Sequence, residues 1–174
     1  MVNCDYVSVK STKDISGKQS LLMVPLTKFF CIKNNIENKG FVILRENPND
    51  IVERLEDPQI AAFSTYVWNW EITTHLAKEV KKLNPNCTII FGGPQVPRQS
   101  EGFFEKYPFV DIIVHGEGEY IIKNIFKVLL EDKDWSKVNG ISTKSFRTSP
   151  QERINDLGEI PSPYLTNSIW DLVD

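Results

Sequence analysis

Short apolar runs alternate along this chain with longer stretches whose apolar residues recur every three or four positions. Residues 60–63, 88–91 and 111–114 are the clearest runs, close to unbroken, as in strands covered on both faces. Residues 4–9 alternate apolar with polar and make a first strand; 41–44 make a short buried one. The helical periods fall between them. Asn47-Pro48 opens a helix, because Asn47 caps, Pro48 fits the first turn and Asp50 complements the dipole; its apolar face is Ile51, Val52 and Leu55. A second helix carries Ile72, Leu76, Val80 and Leu83 on one stripe, with Lys78, Lys81 and Lys82 opposite, and ends at Asn84-Pro85. Residues 100–107 form a short helix burying Phe103, Phe104 and Tyr107. A long helix over 118–130 buries Ile122, Ile125, Phe126 and Leu129. Residues 10–19 read as a polar loop and 25–34 as a helix begun at Pro25.

This alternation predicts right-handed crossovers and an α/β fold: a Rossmann-like, flavodoxin-like sheet of five parallel strands in the order 2-1-3-4-5, with helices on both faces. The pattern changes at Trp135. Residues 140–146 and 152–155 alternate weakly and pair as a C-terminal β-hairpin around Thr148-Ser149-Pro150. Residues 157–164, with Gly158, Pro161 and Pro163, read as an extended linker. The expected division is a domain over 1–134, then hairpin and linker over 135–174, leading towards a downstream domain.

Composition narrows the function classes. The chain has 174 residues, 41% apolar and 25% charged, with a net charge of −3, so nothing in the balance points to nucleic acid or an anionic membrane. No apolar run reaches membrane-spanning length and no signal-peptide pattern opens the chain. Cys4, Cys31 and Cys87 are scattered, without the spacing of a zinc or iron–sulfur site, so no metal site is expected from this chain alone. A cytoplasmic protein is the expectation.

The candidate chemistry lies where strands end, since open α/β sheets bind ligands at their carboxyl edge. The exits are small and hydroxylic: Ser64 and Thr65 after one strand, Gly92, Gly93, Pro94 and Gln95 after the next. Glycine there permits a tight turn or a close ligand approach, and both readings stand. Tyr66, Trp68, Asn69 and Trp70 form an aromatic cluster, part of it core and part free to floor a flat ligand. Gly116, Glu117, Gly118 and Glu119 follow the next strand and place two carboxylates in the first turn of a helix. They either complement the dipole or bind ligand hydroxyls and amides. His115 reads as a satisfied rim histidine and His75 as structural. Ser16-Gly17-Lys18-Gln19 lacks the spacing of a phosphate loop, and no catalytic triad or metal cluster is visible.

Taken together, residues 63–69, Phe91-Gly92-Gly93-Pro94-Gln95, 110–119 and 157–164 resemble, in order and spacing, the N-terminal cobalamin-binding domain of cobalamin-dependent radical SAM enzymes. The resemblance covers about residues 40–165. It implies cobalamin held over the carboxyl edge, with its nucleotide tail beside Ser64, Thr65, Gly92 and Gly93, and a non-catalytic module within a methyl-transferring or rearranging enzyme. It also implies a downstream barrel domain, absent from this chain, that carries the iron–sulfur cluster and S-adenosylmethionine. Two departures stand out. The Asp-x-His-x-x-Gly motif of histidine-ligating domains is absent, Asp14-Ile15-Ser16-Gly17 being too short and without histidine. The first forty residues match the family poorly.

Two other readings compete. One is a flavodoxin-like module binding flavin mononucleotide through Ser11, Thr12 and Ser16. The other is a degenerate interaction domain without a cofactor.

Overall fold

The computed structural model describes residues 3–9, 37–43, 47–54, 58–131 and 134–156, together with 158, 160, 162, 165 and 166. The expected helix over 25–34, the loop over 10–19 and Leu55 lie outside them. The strands are β1 (Asn3–Val9), β2 (Glu37–Ile43), β3 (Ile60–Ser64), β4 (Thr88–Gly92), β5 (Ile112–Val114) and β6 (Ile141–Thr143). The helices are α1 (Pro48–Arg54), α2 (Trp70–Leu83), α3 (Phe103–Lys106) and α4 (Gly118–Glu131). No helix among the described residues is long and apolar enough to cross a membrane.

The sheet is mixed and mostly parallel, in the order β2-β1-β3-β4-β5-β6. Strands β1 to β5 pair in parallel, while β6 runs antiparallel to β5, with Ile113 opposite Ser142. The parallel part of the sheet follows the expected order 2-1-3-4-5, and what the sequence did not place is β6, which adds an antiparallel edge strand beside β5. Residues 140–143 form the added edge strand because a tight turn at Lys144-Ser145 folds the chain back, Ser142 bridging Arg147 and the Thr143 amide donating to the Phe146 carbonyl at 2.8 Å. The hairpin turns there and not around Thr148-Ser149-Pro150. Residues 152–155 form no strand; the Ile154 amide donates instead to the Glu117 carboxylate.

Alternation along the strands sorts the core onto two faces. Ala61, Phe63, Ile89, Phe91 and Ile113 pack with Ile51 and Val52 of α1, with Leu76, Ala77 and Val80 of α2, and with Phe103 and Phe104 of α3. Ile60, Ile90, Ile112 and Val114 pack with Ile121, Ile122, Ile125, Phe126, Val128 and Leu129 of α4. Complete burial of a side chain such as Phe91 or Ile125 contributes roughly 1.5–3 kcal/mol.

The helices begin as their sequences dictate. The Asn47 side chain accepts the Asn49 amide at 3.1 Å, capping α1 with Pro48 in its first turn. In α2 the buried face is Thr73, Leu76, Ala77 and Val80, and Leu83 is 72% exposed. The stripe continues at Asn84, four residues after Val80, where the side chain donates to the Pro58 carbonyl at 3.1 Å. Lys81, expected on the solvent face, donates to the Cys87 carbonyl at 2.7 Å and to Asp111 at 2.8 Å; the same Asp111 oxygen accepts the Ile89 amide at 2.9 Å. This ties α2, β4 and the entry to β5 together at the amino edge.

Candidate functional site

At the carboxyl edge the first two exits are joined backbone to backbone. Thr65 is fully buried. Its amide and its hydroxyl both donate to the Gly92 carbonyl, at 2.7 and 2.9 Å, so pairing with β4 continues one residue past Ser64. The Thr65 carbonyl in turn accepts the Gln95 amide at 3.3 Å. Gly93 sits at φ +113°, where a Cβ would lie 2.5 Å from the Thr65 carbonyl oxygen and 3.0 Å from its nitrogen. Glycine is thus required at 93 by the chain itself, through a close approach of two loops. A side chain at Gly93 meets the protein's own backbone, so such a change reports on packing as well as on any slot. Pro94 and Gln95 are exposed.

Asn69 closes the loop after β3. Its side chain accepts the Tyr66 amide at 2.7 Å and donates to the Ser64 carbonyl at 2.9 Å, and the residue is 1% exposed. It therefore positions the loop and offers little surface of its own. The aromatic cluster divides clearly. Trp70 is partly buried and packs against the core, edge-on to Phe91 and Tyr107, and its indole donates to the Tyr107 hydroxyl at 3.3 Å. Tyr66 and Trp68 stack at 4.6 Å with planes 15° apart, and Trp68 and Val67 stand 38% and 72% exposed.

The third exit is shaped by the hairpin. The His115 amide donates to the Gly140 carbonyl at 2.8 Å, and its Nε2 lies 2.8 Å from the hydroxyl of Ser142, which is fully buried. Burial, and then the nearby charge of Arg147, hold His115 below its ordinary 6.5. Gly116 follows at φ +82° with open space around it. The two carboxylates part company: Glu119 lies in the first turn of α4, whereas Glu117 precedes the helix and accepts the Ile154 amide at 3.3 Å. Gly118 is the first residue of α4. His75 is exposed on α2.

Sequence reasoning did not find Gly140, Ser142 or Ile154, which complete this exit. A glycine before an alternating stretch was the one local sign, and it could not say which strand the stretch would join. Among the described residues no group of three histidine, cysteine, aspartate or glutamate side chains could hold a metal ion.

One face of the edge is left partly open. Ser64 pairs in register with Ser8 of β1 and with Gly92 of β4. Ala62, Ser64 and Gly92, which alternate onto the α4 face, are half-buried, while Ala61, Phe63 and Phe91 on the other face are buried. A Cβ at Gly92 would meet only Val114 Cβ, at an ordinary 3.6 Å.

The B12 binding domain family matches residues 30–126. The chain is 36% identical over 129 residues to the 2-(S-pantetheinyl)-carbapenam-3-carboxylate methyltransferase of Streptantibioticus cattleyicolor, covering 71% of this chain and 19% of that protein. It is 36% identical over 121 residues to the cobalamin-dependent radical SAM methyltransferase TokK of Streptomyces tokunonensis, covering 67% and 18%. It is 30% identical over 107 residues to the anaerobic magnesium-protoporphyrin IX monomethyl ester cyclase of a Synechocystis species, covering 59% and 20%. The chain spans about a fifth of the length of these relatives. The matched region runs from before β2 into α4 and carries the exits of β3, β4 and β5, and over it this chain belongs to the B12 binding domain family.

Proposed function

We propose that this chain holds cobalamin over the carboxyl edge of its sheet, as the corrinoid module of a cobalamin-dependent radical SAM methyltransferase. The observation that carries the reading is the family match laid over the partly open α4 face at Ala62, Ser64 and Gly92. The residues present fit the group. A slim nucleotide tail needs a row of small side chains leading away from the edge, and Ser64 and Gly92 supply one. A broad corrin ring needs a flat apolar rest at the rim, and the stacked, part-exposed Tyr66 and Trp68 offer one. When bound, cobalamin supplies methyl-carrying chemistry at cobalt.

The residues take distinct parts. Thr65 and Asn69 hold the first loop in place from beneath. The backbone of Gly93, Pro94 and Gln95 borders the ring from the second exit, and Gly116, Gly118 and Glu119 border it from the third. Residues 1–134 make the cofactor domain and 135–174 the hairpin and the linker to a second domain. That second domain, a barrel with an iron–sulfur cluster and S-adenosylmethionine, performs the radical step, in keeping with the name of the Streptomyces tokunonensis relative.

No histidine of this chain ligates cobalt. Only two are present; His75 lies on α2 and His115 is engaged with Ser142. Titration of the chain with hydroxocobalamin should saturate, and the reduced complex should show no electron paramagnetic nitrogen coupling from protein imidazole. Coupling that disappears in His115→Gln would overturn the ligation claim. Saturation by flavin mononucleotide alone, or by neither compound, would overturn the cobalamin reading in favour of a flavin module or a cofactor-free interaction domain.

A further inference from the structure

Glu117 stands at the cofactor edge, yet its contact is with the chain's own exit. Its Oε2 accepts the amide of Ile154, 37 positions later. The segment that delivers Ile154 is held at its start as well. The Gly140 amide donates to the Ser149 carbonyl at 2.7 Å, while the Gly140 carbonyl accepts the His115 amide at 2.8 Å. Gly140 is where three elements cross. At φ +79° it leaves no room for a Cβ, which would lie 2.6 Å from Ile121 Cδ1 of α4 and 3.1 Å from Gln151 Cβ. Gln151 and Ile154, three residues apart, are half-buried, and Glu152 and Arg153 between them are exposed.

We propose that residues 149–154 form a strap across the β5 exit that fixes the direction in which the chain leaves the domain, with Glu117 as its positioning residue. Two anchors, one at Gly140 and one at Glu117, set a line where one would allow a swivel. The second anchor belongs to the loop that opens α4, so the exit path is tied to the same loop that borders the cofactor. This last consequence rests on the cobalamin reading; the strap itself does not.

Trypsin tests the strap in the whole 174-residue chain. The bond after Arg153 is the one whose amide Glu117 holds, and a protease must lift that segment away before cutting. Glu117→Ala should raise the initial rate of cleavage after Arg153 about fivefold, the weight of one such hydrogen bond. Glu117→Gln, which keeps a carbonyl acceptor, should fall between the two. Cleavage after exposed Arg98, in the loop beyond β4, serves as the internal reference and should not change. Cobalamin affinity of Glu117→Ala should stay within about twofold of the unsubstituted chain. Equal rates after Arg153 in all three proteins would overturn the strap. Unchanged cleavage with a tenfold loss of affinity would do so as well, making Glu117 a ligand contact instead. Failure of the unsubstituted chain to bind cobalamin would remove the functional reading and leave the strap to be judged on Arg153 alone.

Discussion

Two neighbouring glycines carry opposite constraints. Gly93 is pressed onto the backbone of Thr65 at a φ only glycine adopts comfortably, whereas Gly92 faces Val114 across ordinary contact distance. Gly93→Ala should therefore destabilise the fold by roughly 2–4 kcal/mol, backbone strain and overpacking together. Gly92→Val should keep stability within about 1 kcal/mol, because a β-branched residue suits a strand. Its added carbons enter the open face beside Ser64, so cobalamin binding should weaken at least tenfold. Urea denaturation and a cobalamin titration on each variant separate the two effects. A stable Gly92→Val protein with undiminished affinity would place the ligand elsewhere. The sequence marked both positions alike as exit glycines. Only the distance to Thr65 distinguishes them.

The junction of β5 with the hairpin behaves as one element. β5 is only three residues long, and β6 supplies its outer pairing. His115 fastens the two at its amide and again at its imidazole. Because burial lowers its affinity for protons below that of the unfolded chain, the folded state binds fewer protons wherever the two differ. The stability tied to a neutral His115 is fully present above about pH 6.5, and falls as the pH drops towards and through the folded-state value. Urea midpoints measured from pH 7.5 down to 5 should decline more steeply for the unsubstituted protein than for His115→Gln. Parallel declines would show that His115 takes no part. The pairing of β6 with β5 could not be read from residues 140–146, whose weak alternation suits either a hairpin among themselves and 152–155 or an edge strand. The competition is decided by the apolar row Ile112, Val114 and Ile141, which closes over α4.

At the scale of the whole molecule, the proposed site is bordered, among the described residues, by the loops after β3, β4 and β5, each held by bonds to another part of the chain: Thr65 to Gly92, Gln95 to Thr65, His115 to Gly140. Ligand bound at that rim stabilises the folded state by mass action. At a free cobalamin concentration about a hundredfold above Kd the gain is about 2.7 kcal/mol. For a protein of this size it should raise Tm by roughly 5–10 °C. Thermal melts with and without hydroxocobalamin measure it, and an unshifted Tm at saturation would mean that the ligand also binds the unfolded chain.

What the sequence determined by itself was local: that strands and helices alternate along residues 60–131, most of the faces they bury, and that glycine and small residues cluster at the strand exits. Helical and strand periods are set by neighbours a few residues apart, so 118–130 and 88–91 were legible as written. Tertiary structure decided the rest. Thr65 and Asn69, candidates from their place after a strand, are buried and brace the loop there. Leu83 yielded its place on the α2 stripe to Asn84, and Glu117 turned from the helix dipole to Ile154. In each case the deciding partner lies from 5 to 37 positions away in the chain, in a direction set by how loops and sheet register bring segments together. A polar side chain states what bond it can make; only the fold states with what.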